Sequence, residues 1–304
     1  MHRKIKIILN PMADMGNAWR VARDLRSITE DHGGVDWSGT VYPGHAIDLA
    51  KQAEGYDLVI AMGGDGTVHE VMNGLMQIPA EKRPILGVVP VGSGNDFAHS
   101  IGASTNPTEA LHRVIHGEPS TVDLGLMTDQ HGRKEYFDNT LGIGFGATVT
   151  IRSHKLPILR GFIMYLTAVI QTIIFDHNPI KMQIESDGEK WEQSVIYLII
   201  CNGPREGGGF LIAPEAKIDD GIFHYAMITN VSRAMMFRIV PEVMKGTHGR
   251  FKQVRMGTCK KFSLTADRPL YIHADGEIYS GPGSDLRKVS FEILPNALKV
   301  VRGR

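Results

Sequence analysis

Buried strands that each end in a polar, glycine-bearing loop dominate the first 125 residues. Apolar runs at 5–9, 57–62 and 85–91 alternate with segments of helical periodicity. Strands that are apolar throughout and separated by amphipathic helices are typical of a parallel sheet covered on both faces. We therefore predict an α/β fold with an N-terminal parallel-sheet domain over residues 1–125, which residues 295–304 could join. The last apolar run, 297–301, could pair with either half of the chain.

The second half of the chain has a different periodicity. Segments 181–185, 260–265 and 288–293 alternate polar and apolar residues, which is typical of antiparallel strands with one solvated face. Two helical patterns interrupt them, at 156–175 and at 232–245 with Ser232 as the expected N-cap. We predict a C-terminal β-rich sandwich domain over residues 126–294.

Composition and charge narrow the class of protein. Thirty-three basic and 33 acidic residues give a net charge of zero, which excludes a whole-protein basic field for nucleic acid. Two cysteines without a CxxC pair fit a reducing compartment. The start lacks the apolar run of a secretory signal, and the longest apolar stretch, 161–175, is shorter than the roughly 20 residues that span a bilayer. We expect a cytoplasmic protein with no transmembrane segment.

Three loops at successive strand ends carry the residues that suit phosphate binding. The segment Gly63-Gly64-Asp65-Gly66-Thr67 follows a buried strand and precedes a helix, so its glycines and the helix N-terminus favour an anion. Segments 92–96 and 10–14 occupy the same position after their own strands. Ligands of open α/β sheets bind at the carboxyl ends of strands, so the three loops together predict one nucleotide-sized site. Taken alone, the first loop could be a tight turn, and it is no Walker loop because it lacks a lysine.

These motifs resemble those of the bacterial diacylglycerol kinase family, whose superfamily includes sphingosine, ceramide and NAD kinases. The resemblance rests on a series of segments in the same order along the chain: Asn10-Pro11, Gly63–Thr67, Gly92–Asp96, Asn202, Gly207–Phe210, Ala213–Ala216, Asp219–Gly221 and Asp275–Glu277. It implies a Mg²⁺-dependent lipid kinase that transfers the γ-phosphate of ATP to a lipid hydroxyl, with diacylglycerol as the expected acceptor, in phospholipid biosynthesis.

The resemblance and the strand-end loops together give the expected nucleotide-binding residues. They are Asn10, Pro11, Met12, Ala13, Asp14, Thr40, Gly63, Gly64, Asp65, Gly66, Thr67, Val68, His69, Glu70, Ser93, Asn95 and Asp96. The chain departs from the family at Met12, Asp14 and Met15, where small residues and glycine are usual. Ser93 replaces the more common threonine and keeps the hydroxyl.

Two metal sites are expected. The resemblance implies a structural Mg²⁺ on the side chain of Asp220 and the main-chain oxygens of Lys217 and Ile222, and oxygen ligands suit this ion. We interpret Asp65, Asp96 and Asp123 as a metal–water network for a catalytic ion, because several acids near ATP would otherwise repel its phosphates. For Asp123, a structural capping role is the alternative.

The expected catalytic residues are Asp275 and Glu277. A carboxylate can accept the proton of an alcohol as phosphate transfer proceeds. We favour Asp275 as the base or its orienter and keep Glu277 as the rival. Gly276 suggests a turn between them, and a plain hairpin with solvated acids is the alternative.

Helix 156–175 gives the clue to the acceptor. Its apolar residues cover much of its circumference, and Arg152, Lys155 and Arg160 lie beside it, so it could meet acyl chains and anionic head groups. The alternative is a helix packed on the sandwich. The expected partner is a lipid substrate at the inner membrane surface, where the protein could be peripheral; a homodimer is allowed, and no nucleic acid is expected.

Two other functions stay open. One is NAD kinase-like phosphorylation of a soluble dinucleotide, and the other is a non-catalytic nucleotide-binding regulator, suggested by the departures at Met12–Met15. Segment 142–147 matches GxGxxA, but it precedes residues of β type, so we do not expect a Rossmann site there.

Overall fold

A computed structural model of the 304-residue chain describes residues 3–31, 34–156, 158–159 and 161–303. The chain divides into two compact units. The first comprises residues 1–122 and 296–304, and the second comprises residues 123–295.

The helices and strands follow the chain in order. Up to residue 129 they are β1 (Ile5–Leu9), α1 (Asn17–Asp31), β2 (Asp36–Gly39), α2 (His45–Lys51), β3 (Leu58–Gly63), α3 (Asp65–Leu75), β4 (Ile85–Pro90), α4 (Asp96–Ser100), α5 (Pro107–His116) and β5 (Pro119–Asp129). The remaining elements are β6 (Lys134–Phe137), β7 (Thr140–Gly144), α6 (Phe145–Ser153), α7 (Gly161–Phe175), β8 (Ile180–Ser186), β9 (Glu189–Cys201), β10 (Phe223–Thr229), α8 (Arg233–Met244), β11 (Val254–Cys259), β12 (Lys261–Ala266), β13 (Ile272–Ala274), β14 (Glu277–Ser280) and β15 (Lys288–Val301).

The first unit is built on a parallel sheet, as its apolar strands predict. The order is β2–β1–β3–β4, and the end of β15 adds a fifth parallel strand where Val300 pairs with Leu86. Helices α1 and α5 pack on this sheet through residues such as Ala22 and Leu111. Because β1 and β3 are buried along their whole length, both faces of the sheet are covered.

The second unit is antiparallel and β-rich, also as expected. Strands β14, β13, β7, β9, β8, β12 and β15 pair in that order, and β9 also pairs with β10, which pairs with β11. One apolar core includes Phe262 and Phe291, while a second lies against α7 and α8. Helix α8 begins where predicted, because the Ser232 hydroxyl accepts the Met235 N–H at 3.2 Å.

The sequence prediction was wrong about the segment after residue 144. It is helix α6, so the GxGxxA segment does lie between a strand and a helix. Its β-branched residues favour a strand, but Thr148 and Thr150 satisfy their hydroxyls on carbonyls four residues earlier, at 3.1 and 3.3 Å. Helix α7 begins at Gly161, later than predicted, and Arg160 lies outside the described residues.

Over the residues that the structure describes, none of the helices has both the length and the apolar character needed to cross a membrane.

Candidate functional site

The loops after β3 and β4 meet backbone to backbone. A Cβ atom on Gly92 would lie 2.4 Å from Gly64 Cα, and the Val91 N–H donates to the Gly63 carbonyl at 2.8 Å. A side chain at Gly92 would push the loops apart, whereas a Cβ atom on Gly64 would lie 3.3 Å from Gly92 Cα and require only a small shift. The fold therefore brings two of the three predicted loops to one place, at the N-terminus of α3, where the helix dipole favours an anion.

Two of the predicted acidic residues converge at these loops. Asp65 Oδ1 accepts the N–H of Asp96 at 2.7 Å and that of Phe97 at 3.3 Å, so this carboxylate caps α4. A Cβ atom on Gly94 would lie 2.7 Å from Asp65 Oδ2 and 3.7 Å from Asp96 Oδ2. Both carboxylates thus border the same small space beside Gly94, which suits a cation held by oxygen ligands.

The third loop adjoins the same strand ends. The Asn10 N–H donates to the Met62 carbonyl at 3.0 Å, and the Thr40 N–H donates to Leu9 at 2.8 Å, which places Asn10 and Thr40 at neighbouring strand ends. Asp14 and Met15 both have positive φ, 49° and 55°. The departures from the family pattern at these two positions therefore put side chains on backbone that favours glycine.

Several residues expected at the nucleotide have side chains engaged elsewhere. Thr67, Val68 and His69 are buried, and His69 Nε2 lies 3.3 Å from Asn73 Nδ2. The Glu70 carboxylate accepts two N–H groups at the start of α2, from residues 44 and 46, at 2.8 and 3.1 Å. The side chains of Thr67, Val68 and His69 belong to the α/β core and that of Glu70 is half-buried, whereas Ser93 is exposed on its loop. The Asn95 side chain closes that loop, because it accepts the Gly92 N–H and donates to the Gly92 carbonyl.

The Asp-Gly-Glu segment forms a tight hairpin. Ala274 pairs with Glu277, and Asp275 and Gly276 both have positive φ, 50° and 85°, which is typical of a type I′ turn. The two acids therefore do not share a strand face. Asp275 is only 6% exposed, whereas Glu277 is exposed at the start of β14. Asp275 is thus not the solvated turn residue of the plain-hairpin alternative.

The Asp275 carboxylate is held by a neighbouring backbone segment. Oδ2 accepts the Asp138 N–H, and Oδ1 accepts those of Asn139 and Thr140, all at 3.0 Å. Asn202 supports the same segment, because its side-chain amide donates to the Asp138 carbonyl at 2.7 Å. These contacts fix the direction of the carboxylate.

The Asp219-Asp220-Gly221 segment is a second candidate metal site. Asp220 Oδ1 accepts the Ile222 N–H at 3.2 Å, and its Oδ2 lies 3.7 Å from His224 Nε2. Asp123 Oδ2 accepts the Gly221 N–H at 2.7 Å, so Asp123 caps this turn, as its structural alternative implied. In the described part of the chain, no group of three or more His, Cys, Asp or Glu side chains could hold a metal. One carboxylate plus main-chain oxygens remains a donor set that Mg²⁺ accepts.

The sequence analysis did not identify a buried polar cluster that lies beside Asp275 and centres on Glu206. His273, two residues earlier, has its Nε2 at 3.0 Å from Glu206 Oε1, and both side chains are buried. The Tyr197 hydroxyl donates to Glu206 Oε2 at 2.9 Å. Burial raises the pKa of the Glu206 carboxyl, but His273 and the tyrosine hydroxyls outweigh it, so the net pKa is lowered. The sequence signal that could have indicated this cluster is a single acidic residue, Glu206, directly before Gly207-Gly208-Gly209.

The fold and its loops define a nucleotide-binding α/β protein with a β-sandwich. Residues 4–127 match the diacylglycerol kinase catalytic domain, and residues 139–302 match the YegS C-terminal NAD kinase beta sandwich-like domain. The chain belongs to this family of lipid kinases, which are ATP-dependent phosphotransferases.

Named relatives agree with this assignment, and two solved structures share the fold. A "Probable lipid kinase YegS-like" of Chromohalobacter salexigens is 38% identical over 64% of this chain and 60% of its own length. A "Diacylglycerol kinase" of Mycobacterium tuberculosis is 29% identical over 99% of this chain and 96% of its own. A diacylglycerol kinase structure from Bacillus anthracis has a TM-score of 0.72 at 19% identity, covering 99% of this chain and 97% of that chain. An Archaeoglobus fulgidus NAD kinase, solved with ATP, has a TM-score of 0.53 at 11% identity, covering 98% and 93%.

Proposed function

We propose that the protein is a Mg²⁺-dependent kinase that transfers the γ-phosphate of ATP to the hydroxyl of a membrane lipid, with diacylglycerol as its acceptor. The contact of the Gly64 and Gly92 loops carries the proposal, because glycine backbone at the start of α3 lets a phosphate approach the N–H groups. Members of the family that are named as diacylglycerol kinases support the choice of acceptor.

The α/β unit would bind the nucleotide by its strand-end loops. Asn10, Thr40 and Ser93 offer polar groups beside the glycine contact. Val68 and His69 support it from within the core, and Glu70 ties α3 to the start of α2. The arrangement positions phosphates and leaves little covalent chemistry to the protein, which is typical of phosphoryl transfer.

Magnesium would be held in the α/β unit by Asp65 and Asp96, whose Oδ2 atoms border the same space. When bound there, Mg²⁺ would neutralise the charge that the phosphates carry. In the sandwich, Asp220 with the main-chain oxygens of Lys217 and Ile222 would hold the structural ion, and Asp123 would shape that turn through Gly221. A direct part for Asp123 in the catalytic network stays a prediction.

The proton of the lipid hydroxyl would pass to a carboxylate of the Asp-Gly-Glu turn. We assign it to Asp275, because three backbone N–H groups fix the direction of its carboxylate. Glu277 remains the rival, since it is exposed and free to change rotamer.

Helix α7 would meet the lipid. Ile163, Ile170 and Ile174 recur at helical spacing and are 64%, 40% and 45% exposed. Thr167 lies on the same face, and its hydroxyl donates to the Ile163 carbonyl at 2.8 Å, so this hydroxyl hydrogen is satisfied within the helix. Lys155 is exposed just before the helix, whereas Arg152 is paired with Asp176. An apolar face with a cation nearby suits a peripheral position on an anionic membrane.

A transfer assay with γ-labelled ATP tests the function. Mixed micelles would present diacylglycerol, monoacylglycerol, phosphatidylglycerol, sphingosine or ceramide, each with and without Mg²⁺, and NAD would be the soluble acceptor. Label on diacylglycerol that requires Mg²⁺ is the expected result. Label on NAD alone would support the dinucleotide kinase instead. Stabilisation by ATP without transfer to any acceptor would support the regulator.

A further inference from the structure

Glu206 is a buried carboxylate that the proposed chemistry does not use. Its side chain is 5% exposed and lies in the loop between β9 and β10. Removing a carboxylate from water costs several kcal/mol, so burial of Glu206 does not by itself stabilise the core. The partners of this carboxylate lie on three different elements, and they indicate what it does.

The partners of Glu206 connect helix α7 to the Asp275-Gly276 turn. Tyr197 lies on the core strand β9, and Tyr165, which also donates its hydroxyl to Glu206, lies on α7. His273 lies on β13, two residues before Asp275. Strand β7 leaves room for the imidazole, since a Cβ atom on Gly142 would be 2.1 Å from His273 Nε2.

The loop that carries Glu206 is shaped to receive α7. A Cβ atom on Gly207 would lie 2.7 Å from the Tyr165 ring, and one on Gly209 would lie 2.9 Å from the Phe162 ring. The same two rings lie 5.3 and 5.6 Å from the ring of Phe210, centroid to centroid. Gly207 and Gly209 thus let the inner face of α7 lie directly on the loop backbone.

A second connection joins this loop to Asp275. The Asn139 side-chain amide donates to the Arg205 carbonyl at 2.8 Å, and the Asn139 backbone N–H donates to Asp275 Oδ1 at 3.0 Å. Both sides of Glu206 are therefore linked to the turn that holds the proposed base.

We propose that Glu206 is a positioning residue of the lipid-acceptor site: it fixes α7 through Tyr165 and lies against His273 on the strand that leads to Asp275. The outer face of α7 is the one assigned to lipid, so this role rests on the proposed function. We assign Glu206 no contact with substrate or nucleotide. It sets where the acceptor meets the base.

Two tyrosine variants test the role with the same chemical change. Tyr165→Phe and Tyr197→Phe each remove one hydroxyl from the same carboxylate, but only the first frees α7. We expect amide hydrogen exchange over residues 161–175 to accelerate about 10-fold in Tyr165→Phe, the effect of losing one hydrogen bond. In Tyr197→Phe that exchange should match the wild type. Equal acceleration in both variants, or none in Tyr165→Phe, would overturn the proposal.

Steady-state kinetics with diacylglycerol as the acceptor distinguish this positioning role from a general loss of stability. Tyr165→Phe should raise the KM for diacylglycerol in mixed micelles about 5-fold, with the KM for ATP unchanged, because only acceptor positioning is lost. An unchanged lipid KM would overturn the acceptor role even if exchange accelerates. If wild-type protein phosphorylates no lipid, the proposed function fails and takes the acceptor role with it, whereas the exchange data still report whether Glu206 holds α7.

Discussion

Gly64 and Gly92 face each other so closely that a Cβ atom on Gly92 would lie 2.4 Å from Gly64 Cα. The two residues follow neighbouring parallel strands, and their contact brings together the loops on which the nucleotide assignment depends. Glycine is needed at position 92 because a side chain there would separate the loops, while a Cβ atom on Gly64 would make a close contact of 3.3 Å with Gly92 Cα.

Gly92→Ala should disrupt the nucleotide site. Overpacking of this kind costs about 1–3 kcal/mol of unfolding free energy, and displacement of the loop should weaken ATP binding about 10-fold or more. Gly39→Ala is the matched control, since a Cβ atom there meets nothing within 4 Å. Calorimetric titration with ATP and a thermal melt of both variants check this. Wild-type ATP affinity in Gly92→Ala would contradict the assignment.

Asp275→Asn should reduce both stability and turnover. Asparagine has a single acceptor oxygen for the three N–H groups that Asp275 accepts, so we expect a loss of about 2 kcal/mol. Loss of a general base lowers kcat about 100-fold or more. Glu277→Gln, at an exposed position, should change stability by less than about 0.5 kcal/mol.

The kcat of each variant is divided by its folded fraction at the assay temperature, and the thermal melt gives that fraction. If Asp275→Asn keeps wild-type kcat on that basis while Glu277→Gln loses it, the base is Glu277.

Mg²⁺ should stabilise the protein through Asp220. A ligand at ten times its Kd adds about 1.4 kcal/mol, so the wild-type Tm should rise across a Mg²⁺ titration. Asp220→Asn should remove most of the rise, while Asp219→Asn, the exposed neighbour, should keep it. A wild-type Tm that does not respond to Mg²⁺ would count against the site.

Asp129 should make the sandwich sensitive to acid. Burial raises the pKa of its carboxyl, but hydrogen bonds from Tyr279, Arg133 and the backbone outweigh this and lower the pKa to about 2. A depressed pKa contributes stability above the unfolded value near 3.8, and that contribution disappears as the pH falls towards 2. We expect Asp129→Asn to be less stable by about 2 kcal/mol at neutral pH. Denaturant melts should show the difference from wild type narrowing between pH 4 and pH 2; a constant difference would contradict this cause.

The parallel sheet and its loops were predictable because the information is local. Apolar runs followed by glycine and aspartate indicate β3 and β4 and their loops. Asp275-Gly276 indicates the turn between Ala274 and Glu277. Helix α6 was not predictable, since its β-branched residues favour a strand and only burial against the sandwich overrides them.

The contacts that shape the sandwich site join residues far apart in sequence. Asp123 meets Gly221 across 98 positions, and Glu206 meets His273 across 67. No periodicity or spacing reports such pairs, because they arise from the order in which the antiparallel strands assemble. The left-handed backbone at Asp14 and Met15 was visible only as a departure from glycine.

The most direct test of the central claim is Mg²⁺-dependent transfer of labelled γ-phosphate from ATP to diacylglycerol in mixed micelles, by wild type and by Gly92→Ala side by side. We expect labelled phosphatidic acid from the wild type only with Mg²⁺, and a rate reduced about 10-fold or more in the variant at subsaturating ATP. No labelled lipid from the wild type with any acceptor of the panel, or label on NAD alone, would contradict it.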